Sequence, residues 1–578
     1  MQRAKRAICG WICAACLMFP LMLNASGLEI TLTPENATVR SNIEAHLGQV
    51  TPRNTREMRR YARYARTQIE AAVEALGFYQ YQIQMRVVEG DPAGLLVDLH
   101  LGEPVRLRHV SVQLAGEALD QASFTPPDMS QLQPGMPLNH AAYESAKRHL
   151  RQQALTYGYF SAAFEQHQVR VYPEQGVADV WIHFDSGPRY RFGEVTFDHE
   201  GHLEERLLRR YVRFIAGMPY STERLAQLSR DLRESGYFQE VLVDANPEKI
   251  QQDRQIPVEV FLRHRLPRSL NLGIGYSTDI GPRVTAHWTQ HWLNDRGHSR
   301  GVDTLVSEPR QSLGGWYQIP LNPPMTDRLR LTGNAINERF DVQESRRYGA
   351  GIHWHHRQSN GWDRVLSLRG EREEYRIADD EGATWLTLPG ISYARLQTDR
   401  RLDPTRGYRF QVELTGSSEH WYSDVDLAQL TFFARGLTTL WDRHRFLLRA
   451  QGGGVATNEF DRVPASLRFF AGGDQSVRGY AYQSLSPRNE AGDPVGGRVM
   501  LAGGLEYQWV LTERWRFAVF SDVGNSVAHP DDLGQWYVGN GFGLRWISPV
   551  GPLRLDFAHG QDEALGGWRV HFSMGPEL

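Results

Sequence analysis

Few clusters in the 578-residue chain combine residue types and spacing that could do chemistry. Gly297-His298-Ser299-Arg300-Gly301 fits the G-x-S-x-G pattern, in which a nucleophilic serine sits on a sharp strand-to-helix turn. Here the turn-forming Asn294-Asp295-Arg296-Gly297 precedes it and strand-like alternation flanks both sides, so the required helix is missing. His353, His355 and His356 suggest a metal, and on a strand the first two share a face, but the sequence places no third ligand or carboxylate with them. Gly452-Gly453-Gly454 lacks the strand-to-helix setting of a phosphate loop. No enzyme, cofactor or metal site is therefore expected. Arg478, between Val477 and Gly479-Tyr480, is more informative, because glycine lets a loop backbone turn tightly around it. In Arg516–Gly524, Phe517 and Val519 define one face, and Asp522 falls on the other with Arg516. A guanidinium on a loop can meet such a carboxylate with two parallel N–H donors.

The elements that must hold these residues follow from composition. The formal charge is −3, which removes the basic surface that a nucleic-acid binder needs, so no nucleic-acid partner is expected. A mean hydropathy of −0.48 argues against a helical membrane protein. The 54 glycines, 23 tyrosines, 24 phenylalanines and 15 tryptophans suit many strands joined by tight turns. Arg3, Lys5 and Arg6 precede an apolar run from Ala7 to Leu23, with Ala25, Ser26 and Gly27 after it. That order is a secretory leader, expected over residues 1–26 with cleavage between 25 and 27. All three cysteines, Cys9, Cys13 and Cys16, fall inside it, so the exported chain is expected to contain no disulfide, thiolate metal site or cysteine nucleophile.

The first half repeats. Gly77-Phe78-Tyr79, Gly158-Tyr159-Phe160 and Gly236-Tyr237-Phe238 echo one another, Gly135-Met136-Pro137 returns as Gly217-Met218-Pro219, and Glu103-Pro104-Val105-Arg106 resembles Gly187-Pro188-Arg189-Tyr190. A period of roughly 80 residues means tandem small domains rather than a solenoid. In the third unit a strand is expected over Tyr190–Asp198 and a helix over His202–Phe214. A second helix follows, capped by Ser221, with Leu225, Leu228 and Leu232 on one face. Gly236 ends it, and strands follow at Phe238–Asp244 and Ile256–Arg263. The order is β-α-α-β-β. The second unit matches, with Asn139 as the cap and Tyr143, Ala146 and Leu150 as the helix face. The repeated glycine-aromatic is a helix stop followed by a core plug.

From about Arg265 alternation takes over, and 13 of the 15 tryptophans lie between Trp288 and Trp568. Leu553, Leu555 and Phe557 alternate with Arg554, Asp556 and Ala558; Trp568, Val570, Phe572 and Met574 alternate with Arg569, His571 and Ser573. An outer-membrane β-barrel requires this apolar lipid face, polar lumen and aromatic girdle, and only a closed barrel satisfies its backbone in lipid. Residues 265–578 have room for roughly 12 to 18 strands. The barrel should close between a first strand near Leu270–Tyr276 and a last near Trp568–Met574. Gly273 and Gly275 weaken the first strand, so closure between the strand carrying Leu270, Gly273 and Gly275 and the strand carrying Trp568, Val570 and Phe572 is expected to be a poor seam; the alternative is that both glycines only give room to the loop that carries Arg478.

Gly472-Gly473-Asp474-Gln475-Ser476-Val477-Arg478-Gly479-Tyr480 resembles the inward-folded loop of the BamA/TamA superfamily of outer-membrane assembly proteins. Phe520-Ser521-Asp522-Val523-Gly524 resembles that superfamily's F-x-D-x-G strand. Leu467-Arg468-Phe469-Phe470-Ala471, Gly273–Asp279 and the ending Gly575-Pro576-Glu577-Leu578 resemble its TamA branch. The resemblance implies three periplasmic POTRA domains, at 28–102, 103–186 and 187–264, and a 16-stranded barrel over 265–578. It implies that Arg478 contacts Asp522. It also implies a factor that inserts or secretes outer-membrane clients such as autotransporters, in contact with outer-membrane lipid and working with an inner-membrane-anchored TamB-like partner. A two-partner secretion transporter, with the same barrel motifs, and a passive porin are the alternatives; three repeats without a separate plug segment count against the first, and the repeats and the V-R-G-Y loop against the second.

Overall fold

The computed structural model describes residues 28–48, 54–90, 92–199, 201, 203–250, 252–341, 343–400, 403–548 and 551–575. The expected leader, its three cysteines and the last residues of the ending lie outside them. The chain forms two compact units. One takes in the chain up to Glu194 with Phe214–Leu225 and Ala245–Val258; the other comprises Val195–Arg213, Ala226–Asp244 and Glu259–Leu578.

Three small domains precede the barrel, each built on a three-stranded sheet. The first runs β1 (Leu28–Thr33), α1 (Ala37–Leu47), α2 (Thr55–Glu74), β2 (Tyr81–Val88) and β3 (Gly94–Leu101), with sheet order β1-β3-β2. The Asn36 side chain accepts from the Thr38 and Val39 N–H groups and starts α1, whose buried Val39, Ile43 and Leu47 recur at the helical period. The second runs β4 (Arg106–Ala115), α3 (His140–Tyr157), β5 (Ala163–Tyr172) and β6 (Val177–Asp185), in sheet order β4-β6-β5. Asn139 caps α3, and Tyr143, Ala146 and Leu150 are its buried face. The third runs β7 (Arg191–His199), α4 (Glu205–Arg209), α5 (Thr222–Glu234), β8 (Phe238–Asp244) and β9 (Gln255–His264), in sheet order β7-β9-β8.

The repeated glycines share one conformation: φ is +87° at Gly77, +83° at Gly158 and +82° at Gly236. Each permits the left-handed turn that stops the preceding helix, and Tyr159 and Tyr237 behind two of them are buried. Two helices are shorter than the sequence suggests. The helix expected over His202–Phe214 is only Glu205–Arg209, because Arg210, Tyr211 and Val212 donate to carbonyls three residues back and tighten the chain. The first helix of the second domain is a single 3-10 turn, Glu117–Asp120, whose Ala118 N–H is taken by the Ser186 hydroxyl.

The barrel is closed and has sixteen strands, each antiparallel to the next, from β10 (Arg268–Ser277) to β25 (Trp568–Met574). Alternation sorts its faces. Leu505, Phe517, Val519, Phe542, Leu544 and Phe557 stand exposed on the outer wall, whereas Arg516, Asp522, Arg545 and Asp556, on the opposite parity, are buried inside. The enzyme-like clusters are absorbed into this wall. Ser299 begins β12 (Ser299–Ser307) after a turn at Gly297, and no helix follows. Gly452-Gly453-Gly454 lies in β20 (His444–Ala456). In β15 (Gln343–Arg357), His353 Nε2 lies 3.0 Å from Thr332 Oγ1 and His356 Nδ1 lies 2.9 Å from Asp327 Oδ1.

Candidate functional site

Residues 457–498, between β20 and β21 (Val499–Val510), fold into the barrel as a long loop. Apolar contacts hold its course: Val463, Leu467 and Phe469 pack with Leu386, Leu388 and Val425, while Val477, Tyr480 and Leu485 pack with Ala502. At the tip, Arg478 is 5% exposed and Asp522, in β22 (Trp515–Val527), is fully buried. Arg478 Nε donates to Asp522 Oδ2 at 2.7 Å and Nη2 to Oδ1 at 3.1 Å, a two-pronged contact. Its Nη1 also donates to Glu506 Oε2 at 2.9 Å and Asp556 Oδ2 at 3.0 Å. Below the guanidinium lies the Phe520 ring, 3.3 Å from Cζ to its centroid.

Two further arginines complete the charge balance. Arg449 Nη2 lies 2.6 Å from Asp522 Oδ2 and donates to the Ser476 carbonyl at 2.9 Å. Arg545, in β23 (Tyr537–Ser548), lies 2.8 Å from Glu506 Oε1 and also pairs with Asp556. Three guanidiniums thus face three carboxylates in a largely buried site, where unpaired charge is costly. Sequence parity leads to Asp522 but not to Glu506, Arg449 or Arg545. Their lumen parity was readable, yet which of many lumen charges meet depends on strand register.

The neighbouring motif residues make room for the loop. A Cβ on Gly524 would lie 2.9 Å from Val477 Cγ2, and one on Gly539 would run into the Arg478 carbonyl. Gly479, at φ +94°, crosses so close to Gly560 that a side chain would strike its backbone N. The Tyr480 hydroxyl donates to the Val538 carbonyl at 3.1 Å and accepts from the Asp562 N–H at 3.2 Å.

At the seam the two expected strands meet, β10 beside β25. Among the described residues the ladder between β10 and β25 is the single pair Ser277↔Ser573. Thr278 extends it, its N–H donating to the Phe572 carbonyl at 3.0 Å and its Oγ1 accepting from the Phe572 N–H at 2.7 Å. By contrast β10 pairs with β11 (Gly281–Gln290) from Arg268↔Gln290 to Ser277↔Gly281. Leu270, Gly273 and Gly275 therefore do not face Trp568, Val570 and Phe572. Antiparallel numbering runs in opposite directions, so joining Ser277 to Ser573 carries Phe572, Val570 and Trp568 to and past the turn that ends β10. Leu270, Leu272 and Ile274 stand exposed on one face of β10. Gly273 and Gly275 turn to the other, where an added Cβ would come within 2.6 Å of Thr285 Oγ1 and 2.8 Å of Arg283 Nε, respectively. Both glycines thus give room to β11 side chains.

The Omp85 superfamily domain matches residues 273–577, more than half of the chain. The chain belongs to the Omp85 superfamily. Residues 29–101 match the POTRA domain described as TamA domain 1, and 190–263 match a POTRA domain described as a surface antigen variable number repeat. Among curated proteins, the outer membrane protein assembly factor BamA of Nitratidesulfovibrio vulgaris is 26% identical over 444 residues, covering 72% of this chain and 55% of that protein. BamA of Neisseria meningitidis serogroup B is 24% identical over 479 residues, 69% of this chain and 58% of that protein. The chain thus spans little more than half the length of these relatives. Among solved structures, BamA from Haemophilus ducreyi lacking POTRA domains 1–3 superposes with a TM-score of 0.67 at 18% identity, over 82% of this chain and 99% of that one. The Omp85 barrel sits in the outer membrane, with the POTRA domains in the periplasm.

Proposed function

We propose that this Omp85 protein assembles or translocates outer-membrane β-barrel clients through its seam. The observation that carries the reading is that, among the described residues, β10 and β25 share a one-pair ladder, against a ten-pair ladder between β10 and β11. With so short a ladder among the described residues, this closure parts more readily than the neighbouring strand pairs. Once parted, it presents a row of backbone N–H and C=O groups on which a client strand can add. The match of residues 29–101 to TamA's first POTRA domain supports placement in the TamA branch. Autotransporters are then the client class, and a TamB-like inner-membrane-anchored protein is the partner, reached through the free edges of the POTRA sheets. Reconstitution into vesicles of outer-membrane lipid tests this. Urea-unfolded autotransporter barrel should fold faster there than into protein-free vesicles, and equal rates would refute the reading. Purification in mild detergent should bring down the TamB-like partner.

A further inference from the structure

The inserted loop touches both sides of the seam, through contacts that do not involve the Arg478 side chain. On the first side, the turn after β10 carries Asp279, whose Oδ2 accepts from the Asp474 N–H at 2.6 Å. The loop backbone is pressed there, since a Cβ on Gly473 would stand 2.5 Å from the same oxygen. On the other side, the Gly479 N–H donates to His571 Nε2, in β25, at 3.2 Å. Asp279 immediately follows Thr278, the residue whose N–H and hydroxyl bridge to Phe572 across the seam. Six residues of loop, from Asp474 to Gly479, therefore span from one barrel edge to the other.

We propose that the loop is a strap across the seam, fastened at Asp279 and at His571, with the adjoining carboxyls of Asp279 and Asp474 as its proton-operated release. The proposal rests on the reading of the seam as the place where clients enter, and adds what holds it shut. Asp474 Oδ2 is buried with no hydrogen-bond partner, beside the Asp279 carboxyl that the Asp474 N–H holds. Burial, and next the Asp474 carboxyl, push Asp279 up to about 8. The other ionisable groups facing it are Tyr482 on the loop and Arg569 on β25; Glu338 and Arg310 lie behind Tyr482, and His571 faces Asp474, Arg478 and Asp556. The sign follows from that direction. A fastened Asp279 holds a proton that a released one gives up, so fastening is strongest in acid. It weakens as pH rises from the ordinary carboxyl range towards 8, by up to about tenfold per unit.

The test uses the full chain in lipid vesicles, with Cys9, Cys13 and Cys16 replaced by serine, and reads spin-label distances rather than activity. One label pair, Asn271→Cys with Trp568→Cys, reports the seam; another, Asn271→Cys with Glu490→Cys, reports the loop. Both distance distributions should be narrow at pH 5.5 and broad at pH 8.5. Asp279→Asn keeps an oxygen for the Asp474 N–H but no titrating acid, and should stay narrow at both. Asp279→Ala combined with His571→Ala should be broad at both. A seam that stays narrow while the loop distances broaden overturns the strap. If Asp279→Asn broadens with pH as the parent does, the carboxyl release is overturned, and this holds even if the double variant does not fold. Because no client is present, these outcomes are independent of whether the vesicles support client folding.

Discussion

Arg478→Ala should undock the inserted loop while leaving the barrel wall intact. Arg478 gives four side-chain hydrogen bonds, to the buried Asp522 and Asp556 and to the largely buried Glu506. Without it, Asp522 keeps Arg449, while Glu506 and Asp556 share Arg545. Three carboxylates then face two guanidiniums, leaving one buried charge uncompensated. Breaking a buried pair from one side costs about 3 to 5 kcal/mol, which lowers the docking equilibrium by roughly two to four orders of magnitude. Limited proteolysis within residues 457–498 of the vesicle-inserted protein reads this directly, and the client-folding rate should fall with it. Arg478→Lys restores the charge but not the two-pronged contact, so it should recover only part. An isolated pair would survive a charge swap, but this one should not. With Arg478→Asp and Asp522→Arg, the new arginine meets Arg449 and the new aspartate meets Glu506 and Asp556. Parental protease resistance in Arg478→Ala, or full rescue by the swap, would refute the network argument.

Other sites make simpler tests. Gly539→Ala puts a methyl group into the Arg478 carbonyl, so it should expose the loop to protease as Arg478→Ala does, without changing any charge. Gly158→Ala meets both a φ of +83° and the Tyr220 side chain 2.6 Å away, and should destabilise the POTRA segment by more than the ~1 kcal/mol of an ordinary left-handed alanine, read by urea unfolding. Asn139→Ala removes the acceptor for the Ala141 and Ala142 N–H groups, and should cost about 0.5 to 2 kcal/mol in the same assay.

Local rules made much of this molecule legible. The repeated glycine after the long helix of each POTRA domain can hardly be anything but a stop, and Asn139 before Tyr143, Ala146 and Leu150 announces a capped amphipathic helix. Strict alternation around Phe517, Val519 and Asp522 assigns faces because a strand has only two. What sequence could not supply is register. Asp522 was readable on its own strand, but its company of Glu506, Asp556, Arg449 and Arg545 depends on how five strands align. The seam shows the same limit: both terminal strands were located, but their offset, which among the described residues joins Ser277 to Ser573, is a property of closure and not of either segment. The third domain's first helix fell short because i→i−3 bonds, invisible in residue type, close its last turn.

The central claim is that the seam parts when a client is assembled. Ser277→Cys with Ser573→Cys, in a chain lacking Cys9, Cys13 and Cys16, places a disulfide at the one ladder pair that, among the described residues, joins β10 to β25. In vesicles, oxidation should stop client folding and reductant should restore it. A quantitatively cross-linked protein that folds clients at the full rate would contradict the account.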